Sequence, residues 1–311
     1  MPQGRNTRRF NTQFFNAQGF NTQSSRLVAT ALIAFLGLIP FSAAANCPSP
    51  GEWWQAHQVV SHSALLTQAA QQQVVLLGEQ HDAIEHHRWQ LSTLAGLHVL
   101  REGMVIGLEM LPRSTQPVLD NWVAGTLSEE ELLEQTQWQE TWGFDSELYL
   151  PILHFARLHQ IPLVALNITP DLRRRLVEEG FANIPFDQRH GIPAPLTASD
   201  TYKERLQQAF EQHAMDINDP EQLTRFIDAQ LSWDVAMAHG LAKATEDGAL
   251  AVGLMGLGHV VYNEGVAHQL SGMGVEHSLS LLPWEHQNCE TPPPALADAV
   301  FILHAQPKES D

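Results

Sequence analysis

The sequence predicts an α/β protein: a mostly parallel sheet flanked by helices on both faces, with a helical excursion late in the chain. Three observations predict it. Short apolar runs recur at Val74–Leu77, Val105–Leu108, Ile161–Leu166 and Ala249–Leu254. Long segments with helical periodicity separate them, as parallel crossovers require. Polar residues capable of chemistry stand just past each run, at the edge where open α/β sheets carry their sites.

Composition narrows the class. A chain of 311 residues, 44% hydrophobic and 17% charged, has length for a real core and is not a disordered composition. Its formal charge of −18 excludes nucleic acid as a natural partner. The first 45 residues differ: Arg5, Arg8, Arg9 and Arg26 precede an apolar run, Leu27 to Phe41, and then Ser42-Ala43-Ala44-Ala45. That pattern reads as a cleaved secretory signal rather than a membrane anchor, because the run is short for a spanning helix. The expected mature unit is one domain over 46–311, periplasmic or secreted. Cys47 and Cys289 either pair in an oxidising compartment or remain two free thiols, with the pair favoured. Ala44-Ala45-Asn46 before Cys47 makes a poor lipid-attachment site, so membrane association has little support.

Taken in order, CPSPG at 47–51 is a turn-rich lead-in. Residues 52–72 read as helix, with Trp53, Trp54, His57, Val60 and Leu65 at roughly helical intervals. Val74–Leu77 is the first buried strand, and Asp82 is the expected N-cap of a helix running to Leu100. Val105–Leu108 delivers Glu109 at its end. Residues 115–142 read as helical and include a capping box at Ser128 and Glu131; 147–159 follow as another helix. The third strand ends at Asn167, with Pro162 tolerated at its start. Pro170 opens a helix that stops at Gly180. Residues 183–245 form the excursion: a proline-rich loop, then helices at about 200–213 and 220–245. The fourth strand leads into MGLGH at 255–259, then a short helix Glu264–Leu270 and late strands His277–Leu282 and Ala299–Leu303.

One pattern occurs twice. Gly78-Glu79-Gln80-His81 and Gly256-Leu257-Gly258-His259 are each Gly-x-x-His after an apolar strand. In a parallel sheet these residues converge with Glu109 and Asn167 on one edge. His81, His259, Glu109 and Glu79 make a set suited to a divalent transition metal with an open position. In a hydrolase Glu79 would then be the catalytic general base. The other reading is that one or both histidines only bond loop backbone. His86 and His87, on the first turn of the next helix, either orient a ligand or carboxylate or, for one of them at least, are solvated helix surface. Tyr262, three residues past His259, is either a rim aromatic or a phenolate ligand for ferric haem. There is no Cys-x-x-Cys-His, P-loop, Gly-x-Ser-x-Gly or His-Glu-x-x-His motif, so those chemistries drop out. Trp122, Trp138, Trp142 and Trp233 read as core. His57, His62, His154, His159, His213 and His277 read as surface or satisfied core.

The order LLGEQHD, GLEM, LYLPILHFARLHQIPLVALNI, AQLSWDVAMA and GLGHVVYNEGV resembles the ChaN family of iron-regulated, haem-binding proteins of the bacterial envelope, over about 74–303. The wider superfamily includes TIKI-type metalloproteases, TraB proteins and erythromycin esterase-like enzymes, and its shared pattern falls on His81, His259, Glu79 and Glu109. The resemblance implies a homodimer holding haem between subunits. It points to Tyr262 as the ligand, with His259 and His87 as further cofactor-binding candidates, and to a role in iron uptake or storage. Asn263 departs from the pattern, standing where a Gly is usual. The expected function is therefore binding of haem or a related small ligand, with a metal-dependent hydrolase as the alternative and enzymatic activity left open.

Overall fold

The computed structural model describes residues 47–212, 220–286 and 289–305. The expected leader over 1–45 and His213 lie outside them. The sheet has eight strands: β1 Trp53–Gln55, β2 Gln58–Val60, β3 Val74–Glu79, β4 Met104–Pro112, β5 Leu163–Asn167, β6 Leu250–Gly256, β7 Ser278–His286 and β8 Ala299–His304. Their spatial order is β2-β1-β8-β7-β3-β6-β4-β5. From β8 to β5 all neighbours are parallel; β1 and β2 add an antiparallel hairpin at the β8 edge.

The helices are α1 His62–Ala70, α2 Ile84–Leu100, α3 Gln116–Val123, α4 Glu129–Gln135, α5 Trp138–Thr141, α6 Leu150–Leu158, α7 Pro170–Glu179, α8 Asp200–Gln212, α9 Pro220–Ala244 and α10 Val266–Ser271. They cover both faces because the strands are apolar on both. Along β3, Val75 and Leu77 join the core beneath α1, α2, α3 and α6, whereas Val74 and Leu76 join the core beneath α9 and α10. All four are fully buried, and each such side chain contributes about 1.5–3 kcal/mol of transfer free energy. The second helix of the excursion is itself a covering layer: Met237, Ala238 and Leu241 of α9 pack on the sheet. Among the described residues no helix is long and apolar enough to cross a membrane.

Several expectations need correction. Residues 52–72 are not one helix. Ala56 and His57, at φ 48° and 64°, close a two-residue hairpin between β1 and β2, and α1 starts only after Ser61 caps it. Such left-handed pairs suit the twist of a hairpin, and Trp53 pairing with β8 outweighs the helical spacing. Residues 115–142 are three helices, interrupted at Gly125 (φ 78°) and at Gln137 (φ 49°). The capping box is present, with Glu131 N–H donating to Ser128 Oγ and Ser128 N–H to Glu131 Oε2, so it marks a fresh start rather than the interior of one helix. Asp82 is not the N-cap of α2; that position is Ala83, with no side-chain cap bond, and Asp82 instead accepts from Gln80 Nε2.

Cys47 and Cys289 form a disulfide, with Cα atoms 4.7 Å apart across a separation of 242 residues. It ties the start of the described chain to the loop after β7. Closing a loop that long stabilises the fold by about 2–5 kcal/mol.

Candidate functional site

Strand register builds the site. Strand β6 lies between β3 and β4, with Glu79 level with Gly256 and Leu108 level with Leu254. Glu79 and Glu109 therefore flank the end of β6 from opposite sides. Both acids belong to the strands themselves, not to the turns after them. Gly256 has no alternative between them: a Cβ there would lie 2.9 Å from Cε1 of His81 and 3.7 Å from Oε2 of Glu109. Its N–H donates to Glu109 Oε2 at 2.6 Å.

On the β3 side, Glu79 is a buried carboxylate whose Oε1 takes two hydrogen bonds and whose Oε2 takes none. Tyr149 O–H donates to its Oε1 at 2.7 Å, and His81 Nδ1 lies 2.9 Å from the same oxygen. His87 Nδ1 sits 3.1 Å from Oε2, off the hydrogen-bond line, so that contact is electrostatic. The other nitrogen of His87 donates to the His81 carbonyl at 3.0 Å. Burial opposes the charge on Glu79, but the neighbouring His87 and the bond from His81 prevail and hold the carboxyl well below its usual range. For His87, burial works against protonation and Glu79 more than offsets it, so its pKa is raised. Tyr149 is pushed well above the ordinary phenol value by burial and by Glu79.

On the β4–β6 side the arrangement is inverted. His259 lies between two acids, with Nδ1 2.6 Å from Asp234 Oδ1 and Nε2 3.5 Å from Glu109 Oε1. Tyr202 O–H donates to the other Asp234 oxygen at 2.6 Å. Burial disfavours an imidazolium here, yet Glu109 and Asp234 together raise His259 to about 10. Glu109, buried but facing His259, is lowered. Asp234 reaches the site because positions 234, 238 and 241 share one face of α9, and that face is applied to the sheet through Ala238 and Leu241.

The expected residues are thus brought together in two clusters, but not as a metal set. Both ring nitrogens of His259 face carboxylates, leaving no lone pair to offer, and Glu79 commits Oε1 to Tyr149 and His81 while Oε2 meets only the neighbouring His87. Among the described residues no group of three or more His, Cys, Asp or Glu is arranged to hold a metal ion. The same crowding makes Glu79 a weak base. His86 and His87 are both buried, so neither is the solvated residue that was expected. His86 Nδ1 accepts the Gln80 N–H at 2.9 Å, and burial drops its pKa to about 4. Asn167 braces backbone instead of facing the imidazoles: its Nδ2 donates to the Glu109 carbonyl. Tyr262 is half-buried at φ 61°, its N–H bonded to the Leu296 carbonyl, and its hydroxyl bonds to neither cluster.

The family model for haem-binding uptake proteins of the Tiki superfamily, ChaN, matches residues 65–270. The chain belongs to this family. Its fold is that of a solved ChaN of Campylobacter jejuni, which binds haem cofacially: TM-score 0.61 at 15% identity, over 80% of this chain and 95% of that one. An erythromycin esterase in its open conformation aligns at TM-score 0.45 and 11% identity, over 78% of this chain and 81% of that one. A type III effector aligns at the same TM-score and identity, over 78% of this chain and 92% of that one. No curated protein sequence gives a significant match.

Three residues that complete the two clusters of this ChaN-family chain escape a reading based on strand ends: Tyr149, Tyr202 and Asp234. Asp234 had a detectable signal, being a charge on an otherwise apolar helix face. Trp142, expected as core, packs edge-on to His81 with ring centroids 4.6 Å apart and so also walls the site. Nothing in the sequence marks the two tyrosines, which reach their acids from separate helical segments.

Proposed function

We propose that the protein binds haem at the C-terminal edge of its sheet, with Tyr262 as the iron ligand. One observation carries the reading. Of the three candidates Tyr262, His259 and His87, His259 has both nitrogens against carboxylates and His87 is buried between the Glu79 carboxylate and the His81 carbonyl, whereas Tyr262 lies on a half-buried loop and its hydroxyl bonds to neither cluster. Bound haem would supply a ferric centre, for which a phenolate oxygen is a suitable axial donor. His259, held as a cation within the same strand-end loop, balances charge and is not a ligand. Family membership supports the reading, as does the cofacial haem of the Campylobacter ChaN. The role that follows is iron uptake or storage in the cell envelope, periplasmic or secreted after loss of the leader, with a homodimer enclosing the haem. Adding hemin to the purified protein should shift the Soret band at stoichiometric ratio, with a doubled mass in solution. An unshifted Soret band would overturn the proposal.

A second reading, a hydrolase, is favoured by one contact. Glu79 fixes Nδ1 of His81, and the opposite nitrogen lies against Gly256 near Glu109. A carboxylate-oriented imidazole of this kind is suited to general-base activation of water. The test is ester hydrolysis by wild type and by His81→Ala; equal rates would dismiss it.

A further inference from the structure

Arg205 of α8 belongs to neither histidine–carboxylate cluster. Its guanidinium carbon lies 4.7 Å from the centre of the Tyr262 ring and 5.3 Å from that of Tyr202. Nη1 is ion-paired with Glu264, whose carboxylate also accepts from the hydroxyls of Ser199 and Thr201. The remaining donors tell a different story: Nε and Nη2 are buried and have no hydrogen-bond partner. Buried donors left unfilled are costly and uncommon. These two share one edge of the planar group, spaced to grip both oxygens of a carboxylate. One side of Arg205 is thus occupied by the chain's own acid, and the other is unfilled beside Tyr262. In a chain of net charge −18 an anionic ligand approaches against the overall field. A placed cation at the binding loop answers that difficulty.

We propose that the Nε–Nη2 edge of Arg205 is a carboxylate subsite, taking a propionate of the porphyrin whose iron faces Tyr262. This rests on the haem reading above. Nε and Nη2 are themselves covered, but the Arg205 side chain is 14% exposed and Tyr262 is half-buried, so solvent lies beside the pair. A rotation of the Tyr262 ring or of the guanidinium uncovers the two donors as the ligand enters. Arg205 is then what distinguishes a porphyrin diacid from an apolar macrocycle of the same size.

The test compares hemin with hemin dimethyl ester by absorbance, and iron-free protoporphyrin IX with its dimethyl ester by fluorescence. Wild type should bind each diacid about ten- to a hundredfold more tightly than its ester, as a charged bidentate contact warrants. Arg205→Lys keeps a charge for Glu264 but has no bidentate edge, and should abolish most of that preference. Tyr262→Phe should change the hemin spectrum and leave the iron-free preference intact. Equal affinity of wild type for diacids and esters, or an undiminished preference in Arg205→Lys, overturns the subsite while haem binding stands. If no porphyrin binds at all, both readings fall together. The wild-type comparison needs no variant, so a misfolded substitution cannot obscure the outcome.

Discussion

The two halves of the sheet edge are built on opposite plans. On the β3 side one acid, Glu79, is shared among Tyr149, His81 and His87. On the β4–β6 side one imidazole, His259, is shared between Glu109 and Asp234. The first fixes a buried anion and the second a buried cation. The same Gly-x-x-His pattern therefore yields two different histidines, because partners from the residue that precedes α6 and from α9 decide the outcome. His81 keeps one nitrogen turned to the edge; His259 keeps none.

Removing the shared member of either cluster should cost most. Glu79→Ala removes the carboxylate that Tyr149, His81 and His87 share and leaves their buried polar groups without it, and should destabilise by about 3–5 kcal/mol in denaturant unfolding. A loss below about 1 kcal/mol, the range of exposed pairs, would break the contrast. pH should sharpen it next. Glu79 and Glu109 are lowered, so their contribution is present above the unfolded carboxyl value and fades as acid reaches their folded values. His259 is raised to about 10, so its contribution is full below the ordinary histidine value of 6.5 and fades as pH climbs towards 10. His86, depressed to about 4, withdraws its contribution as pH falls below 6.5, so thermal melts should peak near 6.5 and decline on both sides, more steeply below 4.5 where the carboxylates join. In His259→Asn the alkaline decline should shrink while the acid decline through Glu79 persists.

Smaller effects follow from the tyrosines. Tyr149→Phe and Tyr202→Phe each delete one hydrogen bond to a buried carboxylate, worth about 1.5–3 kcal/mol. Tyr149→Phe should act on the Glu79 half, and Tyr202→Phe should lower the pKa of His259, read by NMR titration. Reversal of those assignments would mean that the halves are not separate. Smallest of all, Asp82→Ala should change stability by under about 0.5 kcal/mol, as it is not a cap; a loss near 1 kcal/mol would restore the capping role.

The sheet was legible in the sequence because buried parallel strands are continuous apolar runs, and Val74–Leu77 or Ala249–Leu254 can be little else. The edge was legible for the same reason: once strands are parallel, Glu79, Glu109 and His259 must gather. What escaped depends on contacts remote in sequence. The hairpin at Ala56–His57 is dictated by pairing of Trp53 with β8, nearly 250 residues away. Tyr149 and Asp234 act on Glu79 and His259 through helices whose rotation is set by packing, not by any local motif. The metal set looked plausible because residue types were counted without their partners; Asp234 and Tyr149 are the partners that change its chemistry.

The most direct test of the haem site is the visible spectrum of the hemin complex in wild type and in Tyr262→Phe. The account predicts a high-spin, phenolate-ligated spectrum in wild type that is lost in the variant, with the fold intact by circular dichroism. An unchanged spectrum in Tyr262→Phe would contradict it.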